Sequence, residues 1–141
     1  GMALAMLSAM STGFEHLTVW QRARSFCGAI LPILHAARAA HDYELVQQLN
    51  AAAISIMSNI AQGHLRRHRR QFAHFLGISA GSNGEARSCL YLALDRAYIT
   101  EAEFAALCED TNEVGRMIES LRAAVVRQAK RERSVPPTSN L

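Results

Sequence analysis

The densest chemistry in the sequence is the run His64-Leu65-Arg66-Arg67-His68-Arg69-Arg70, four arginines and two histidines with no acid among them. Guanidinium groups are planar forks of donors that match phosphate oxygens, so this run suits a polyanion. No Phe, Tyr or Trp stands within the run to stack on a base. The expected binding therefore follows the backbone of RNA or DNA and weakens with salt. His64 and His68 stand at i and i+4, a spacing that can hold a metal on a helix. No Cys, Asp or Glu lies nearby to complete a shell, so no metal and no cofactor are expected. No nucleophile–base pair, phosphate loop after a strand or carboxylate cluster is visible, and the sequence reads as a non-enzyme. The bland alternative for the basic run is a solvated turn whose arginines pair with Glu85 or with acids of the last helix.

These residues sit in a chain of 141 residues, 50% hydrophobic, 19% charged and 6% aromatic. That length gives one domain able to fold without disulfides or metal, and that composition favours helix. Cys27, Cys89 and Cys108 are odd in number and far apart, which reads as reduced thiols in a cytoplasmic protein. Cys27 is expected to be a small packing residue. No run of about 18 apolar residues is present, so no membrane span is expected. The net charge of +3 is polarised: six acids face only Arg116 between Glu101 and Glu119, whereas Arg122, Arg127, Lys130, Arg131 and Arg133 face only Glu132.

Four amphipathic segments must position the basic run. Gly1 reads as a tag scar, and residues 1–13 as a disordered leader. Thr18 is expected to cap a first helix carrying Trp20, Ala23, Cys27, Ile30, Leu34 and Ala37, kinked where Pro32 removes a hydrogen bond. Asp42 caps a second helix with two apolar stripes, Leu45, Leu49, Ala52, Ile56 and Ile60 on one, Ile54, Met57 and Ala61 on the other. Gly63 fits the position that ends it. A third helix runs from Arg69 to about Ala97. Gly77, Gly81, Gly84 and Ser88 fall on one of its sides and imply either close approach of another backbone or a break at Gly81–Gly84. Thr100 and Glu103 form a capping box for a fourth helix, whose seam steps through Phe104, Leu107, Thr111, Val114, Ile118, Leu121 and Val125. The fold expected is all-α, an antiparallel up-down four-helix bundle over 14–131 with a disordered tail over 132–141. The second stripe of helix two and the small face of helix three exceed what one bundle needs, so a homo-oligomer is expected unless both are buried within the bundle. Asn59, Gln48 and Ser55 are expected to be polar groups fixing register between helices, and Glu85 to bridge an arginine of the basic turn.

The ordered motifs resemble a known family. Phe14-Glu15-His16-Leu17 followed by Val19-Trp20-Gln21 and Ala23, then Gln48-Leu49, then Ser55-Ile56-Met57-Ser58-Asn59-Ile60-Ala61-Gln62-Gly63, are similar to the 23S rRNA intervening-sequence proteins, the four-helix bundle protein family. Arg66, Phe72, Phe75-Leu76, Ile78, Gly81-Ser82, Glu85, Leu92-Ala93 and Tyr98-Ile99 continue the series over about residues 14–128. Gln62 replaces the family's glutamate, and Asn83-Gly84 replaces a pair that usually begins with a large apolar residue. The resemblance implies a ring-forming homo-oligomer, typically a pentamer, whose relatives include a basic nucleic-acid-binding accessory protein of diversity-generating retroelements. A nucleic-acid enzyme is thus a further possible partner, with an adaptor role as the alternative function. The Arg69–His74 spacing also resembles the signature of HEPN-type ribonucleases, a minor alternative, although Arg70 is not the residue usual there.

Overall fold

The computed structural model describes residues 13–134; the expected leader, apart from Gly13, and the tail from 135 onward lie outside them. After a short 3-10 turn at Phe14–His16 come α1 (Thr18–Ala29), α2 (Leu31–Ala39), α3 (Tyr43–Leu65), α4 (Arg69–Asp95) and α5 (Glu101–Ser134). Among the described residues there is no strand. α1 and α2 are halves of one arm bent by 30°, so the chain is the four-helix bundle that the sequence implies. The bend lies at Pro32, which has no N–H to offer the carbonyl of Gly28. Two bonds still span the break at Ile30: the Ile30 N–H donates to Phe26 and the Leu34 N–H to Ile30, at 3.2 and 3.1 Å.

Burial follows the stripes closely in α3 and α5. Leu45, Leu49, Ala52, Ile56 and Ile60 are all buried, as are Leu107, Thr111, Val114, Ile118 and Val125. Each fully buried Ile or Leu contributes roughly 1.5–3 kcal/mol. The first arm is rotated from the expected stripe. Val19, Phe26 and Ile33 join Ala23, Ile30, Leu34 and Ala37 in the core, while Trp20 and Cys27 are half-buried at its rim. Trp20 packs edge-on against Phe14 with ring centroids 5.0 Å apart. The Cys27 thiol lies 3.7 Å from the Met57 sulfur, and burial pushes its pKa up, consistent with packing rather than reactivity.

Polar contacts fix how the helices slide past one another. The Ser55 and Ser82 hydroxyls meet at 2.6 Å, and Ser79 donates to the Ile56 carbonyl at 2.8 Å, tying α3 to α4. Asn83 donates to the Thr111 carbonyl at 2.9 Å, tying α4 to α5. Asn59 is half-buried and bonds only within α3, to the carbonyl and hydroxyl of Ser55. It steadies Ser55 and does not itself cross between helices. Gln48 is exposed and fixes no register.

Several helix ends differ from the sequence reading. Thr18 begins α1 but does not cap it; Leu17 holds the N-cap position with no side-chain bond. α4 is continuous through Gly81 and Gly84. α5 runs to Ser134, three residues past the expected end of the bundle at 131. Asp42 does cap α3, accepting from the Leu45 N–H, and it also takes bonds from Arg96 and Tyr98 at the far end of α4. Those bonds, Arg96 foremost, hold its carboxyl below the usual aspartate range. The Thr100–Glu103 capping box forms as expected, with both reciprocal bonds in place.

α2 and α4 both end in Schellman turns on left-handed residues that are not glycine, His41 at φ 59° and Ala97 at φ 60°. At the second, the Tyr98 N–H donates to Ala93 and the Ala97 N–H to Leu94, at 2.9 and 3.0 Å. A Cβ in this conformation costs about 1–2 kcal/mol, a penalty that glycine avoids. Ala97→Gly is therefore expected to raise unfolding stability by roughly 1 kcal/mol. Urea denaturation checks this, and an unchanged or lower midpoint refutes the assignment of strain to Ala97.

Candidate nucleic-acid interface

The basic run forms the junction between α3 and α4. Gly63 does not end α3, which continues to Leu65; it is buried inside the last turn. A Cβ there would lie 2.7 Å from the Phe75 Cβ and 3.0 Å from the Phe72 ring. The missing side chain lets the first two turns of α4 lie directly on α3. The residue that reverses the chain is Arg67, left-handed at φ 54°, where a non-glycine residue is strained. His68 is extended and takes the N-cap position, but its side chain makes no capping bond, and no acid occupies the first turn of α4. The positive end of the α4 dipole is left open.

The arginines fan out from this junction into distinct surroundings. The Arg66 guanidinium lies 5.3 Å from the centre of the Phe75 ring, a cation–π contact. Arg69 turns toward α5 and donates to Glu132 and Gln128, both at 2.6 Å. Both partners of the ion pair are exposed, so it contributes no more than about 1 kcal/mol. Arg67 and Arg70 form no ion pair among the described residues. Because α5 continues to Ser134, Arg133 reaches the same place. Together Arg67, Arg69, Arg70 and Arg133, with the single acid Glu132, line a recess of about 660 Å³. His64, Leu65, Phe72, His68 and Ala129 complete much of its wall. The His64 and Phe72 rings meet edge-on, 5.8 Å between centroids, and His64 Nδ1 is buried with no hydrogen-bond partner.

The structure thus brings all six basic-run residues, His64, Arg66, Arg67, His68, Arg69 and Arg70, to one end of the bundle. It adds Arg133, Glu132 and Phe72, which the sequence reading did not place there. Continuing the α5 seam one step beyond Val125 to Ala129, which is buried, is the signal that extends the helix far enough to find Arg133.

Other expectations are corrected. Glu85 is exposed on α4 beside Gln48, Ser88 and Arg96, sixteen positions from Arg69, or about 24 Å along the helix. It does not bridge the basic turn; Glu132 does. His64 lies in α3 and His68 in the turn, so the two do not share a helical face. Arg69 and His74 lie about 140° apart around α4, with Arg69 held on the α5 side and His74 exposed. The geometry of one chain does not bring that pair together. Ser82 is buried, but Gly81 and Gly84 would meet nothing within 4 Å if given a Cβ. The close approach in this part of the bundle is instead between Asn83 and Gly115, where a Cβ would stand 3.1 Å from the Asn83 amide nitrogen. The second stripe of α3 is only partly absorbed by the bundle: Met57 packs against the core, but Ile54 is 48% exposed, and Ile78 on α4 is 41% exposed. No helix of the described residues is long and apolar enough to cross a membrane.

The sequence matches the family described as 23S rRNA-intervening sequence protein over residues 15–120. Among solved structures, a protein of unknown function from the S23 ribosomal protein family of Bacteroides thetaiotaomicron is similar, with a TM-score of 0.69 and 20% identity. The alignment covers 74% of this chain and 98% of that one, a likeness of fold. No curated protein matches the sequence.

The contact at Gly63 generates a prediction. Alanine there gains about 1 kcal/mol of helix propensity, but overpacking against a Cβ, which cannot swing away, costs about 1–3 kcal/mol. Gly63→Ala is expected to lower the thermal midpoint and loosen the junction. A midpoint equal to or above wild type shows that the α3–α4 approach is not the constraint described.

Proposed function

The chain belongs to the 23S rRNA-intervening sequence protein family, and from that premise we propose that it is a non-enzymatic, homo-oligomeric helical scaffold of the cytoplasm that binds the backbone of RNA or DNA at the α3–α4 junction. The observation that carries the reading is the convergence of arginines from segments more than sixty residues apart around one recess that holds a single acid. The uncapped α4 terminus adds to the same field. Repeated around a ring, such as the pentamer implied by the resemblance, this end becomes a multivalent cationic band. Replacing Arg66, Arg67, Arg69 and Arg70 together by glutamine is expected to weaken RNA retention at least tenfold at low salt and leave the assembled mass unchanged. It should also flatten the salt dependence of binding by about three in log–log slope. Unchanged RNA retention overturns the reading.

The outer faces of α3 and α4 support the assembly half of the proposal. Ile54, Ile78 and Leu92 are exposed there, and Gly81 and Gly84 present bare backbone to solvent. A soluble chain seldom leaves apolar side chains and close-approach glycines together without a partner. The alternative occupant of this face is a nucleic-acid enzyme held by an adaptor. Gly81→Leu adds a side chain where the chain itself has nothing within 4 Å, so helicity should persist while the light-scattering mass falls toward 15.5 kDa. Wild-type protein that already scatters at the single-chain mass overturns the oligomer.

A further inference from the structure

We infer that the recess at the α3–α4 junction is a pocket for one phosphomonoester nucleotide, taking a phosphorylated strand end in preference to the interior of a strand. The inference rests on the nucleic-acid reading above and names the ligand of that same site. Its volume of about 660 Å³ is within the range of small-ligand sites, roughly 300–1,000 Å³. A recess of that size can hold one nucleotide. The charge points the same way. Four guanidinium groups, from Arg67, Arg69, Arg70 and Arg133, face one carboxylate, Glu132, beside the open N-terminus of α4. An internal phosphodiester carries one negative charge and two unesterified oxygens. A monoester carries about −1.5 to −2 near neutral pH, with three strong acceptor oxygens. The monoester therefore matches the surplus of forked donors and the free N–H groups of the first helical turn far better.

The remaining wall is suited to the rest of the nucleotide. Leu65, Phe72 and the His64 ring give the recess an apolar, aromatic side. A base stacked on such a surface contributes about 1–3 kcal/mol without regard to sequence. The buried Nδ1 of His64 has no partner among the described residues, and a ligand hydroxyl or phosphate oxygen would satisfy it. The sequence alone hid this wall, since Phe72 belongs to α4 and lies outside the arginine run. Glu132 also lines the recess, where it holds Arg69 through a 2.6 Å bond; an entering phosphate competes with it for that guanidinium.

Fluorescence anisotropy at about 150 mM salt tests the pocket. The probes are one oligonucleotide bearing a 5′-phosphate, the same one with a 3′-phosphate, and the same one with hydroxyls at both ends, with nucleoside monophosphate as competitor. The expected result is tenfold or greater preference for one phosphorylated end. Competition by millimolar free monophosphate at that end also supports the pocket, and direct monophosphate binding without any preference among oligonucleotides identifies free nucleotide as the source. Arg133→Gln should weaken binding of the phosphorylated end several-fold more than binding of the unphosphorylated oligonucleotide. Glu132→Gln, which removes the one acid among the described lining residues, should tighten the phosphorylated end several-fold, a gain that damage to the fold would not produce. Equal binding of all three oligonucleotides with no effect of free monophosphate overturns the pocket and leaves the backbone reading standing. Failure of every probe to bind overturns both.

Discussion

The absence of a side chain at Gly63 governs the end of the molecule where the positive charge lies. Phe72 and Phe75 occupy the space that a Cβ would take, so α4 starts in contact with the last turn of α3 and keeps that contact along its length. The contacts run antiparallel, back along α3 and forward along α4. Gly63 lies against Phe75, Ile56 accepts from Ser79, and Ser55 meets Ser82. The polar bonds sit on the same register as the steric one. A slide of either helix by one turn would bury a Cβ against an aromatic ring and unpair three hydroxyls, each an added cost of about 1–3 kcal/mol. With the register fixed, the link between α3 and α4 has only three residues, 66–68, and its arginines have nowhere to go but outward.

α5 is held to this pair by a second register with the same character. Asn83 bonds the Thr111 carbonyl, Arg122 donates to the Ala73 carbonyl, and Arg69 reaches Gln128. Gly115 leaves room for the Asn83 amide. That register brings the basic final turns of α5 beside the basic start of α4. Its acidic first half lies at the other end, where Glu109 and Glu113 share Arg116. The polarity seen along the sequence is therefore folded into a polarity along the bundle axis.

What the sequence revealed and what it concealed have separable causes. Regular stripes are visible because burial repeats with the helical period, as in α3 from Leu45 to Ile60 and α5 from Leu107 to Val125. The first arm was harder to phase. Phe26 and Ile33 stand one position from the assumed stripe, and the bend at Pro32 lets both halves face the core with slightly different phases. Glycines were the least legible. Gly63 has the sequence context of a helix end, yet its role is steric and depends on residues of the next helix. Gly81 and Gly84 imply contact, yet inside this chain they touch nothing. Asn59 and Asn83 look equally able to bridge helices. Only the angular position of each about its axis shows that Asn83 does so while Asn59 serves its own helix.

The junction is also the place where local preferences are most openly opposed. Arg67 occupies a left-handed position that glycine or asparagine would fill without strain. His68 stands where a Ser, Thr, Asp or Asn cap would satisfy open N–H groups. Arg69 and Arg70 place positive charge on the positive end of the α4 dipole, an arrangement that costs up to about 1 kcal/mol per residue. Two other turns of the bundle are better served, by Asp42 on α3 and by the Thr100–Glu103 box on α5. A bundle optimised only for stability would cap α4 in the same way. Three departures within four consecutive residues, 67–70, all of the same electrostatic sign or serving to present it, would be explained together by a polyanion. Its phosphate would supply the missing N-cap acceptor, neutralise the opposed charges and lie beside the strained Arg67. On the proposed reading, local instability at this junction and affinity for phosphate would be two consequences of one arrangement of residues.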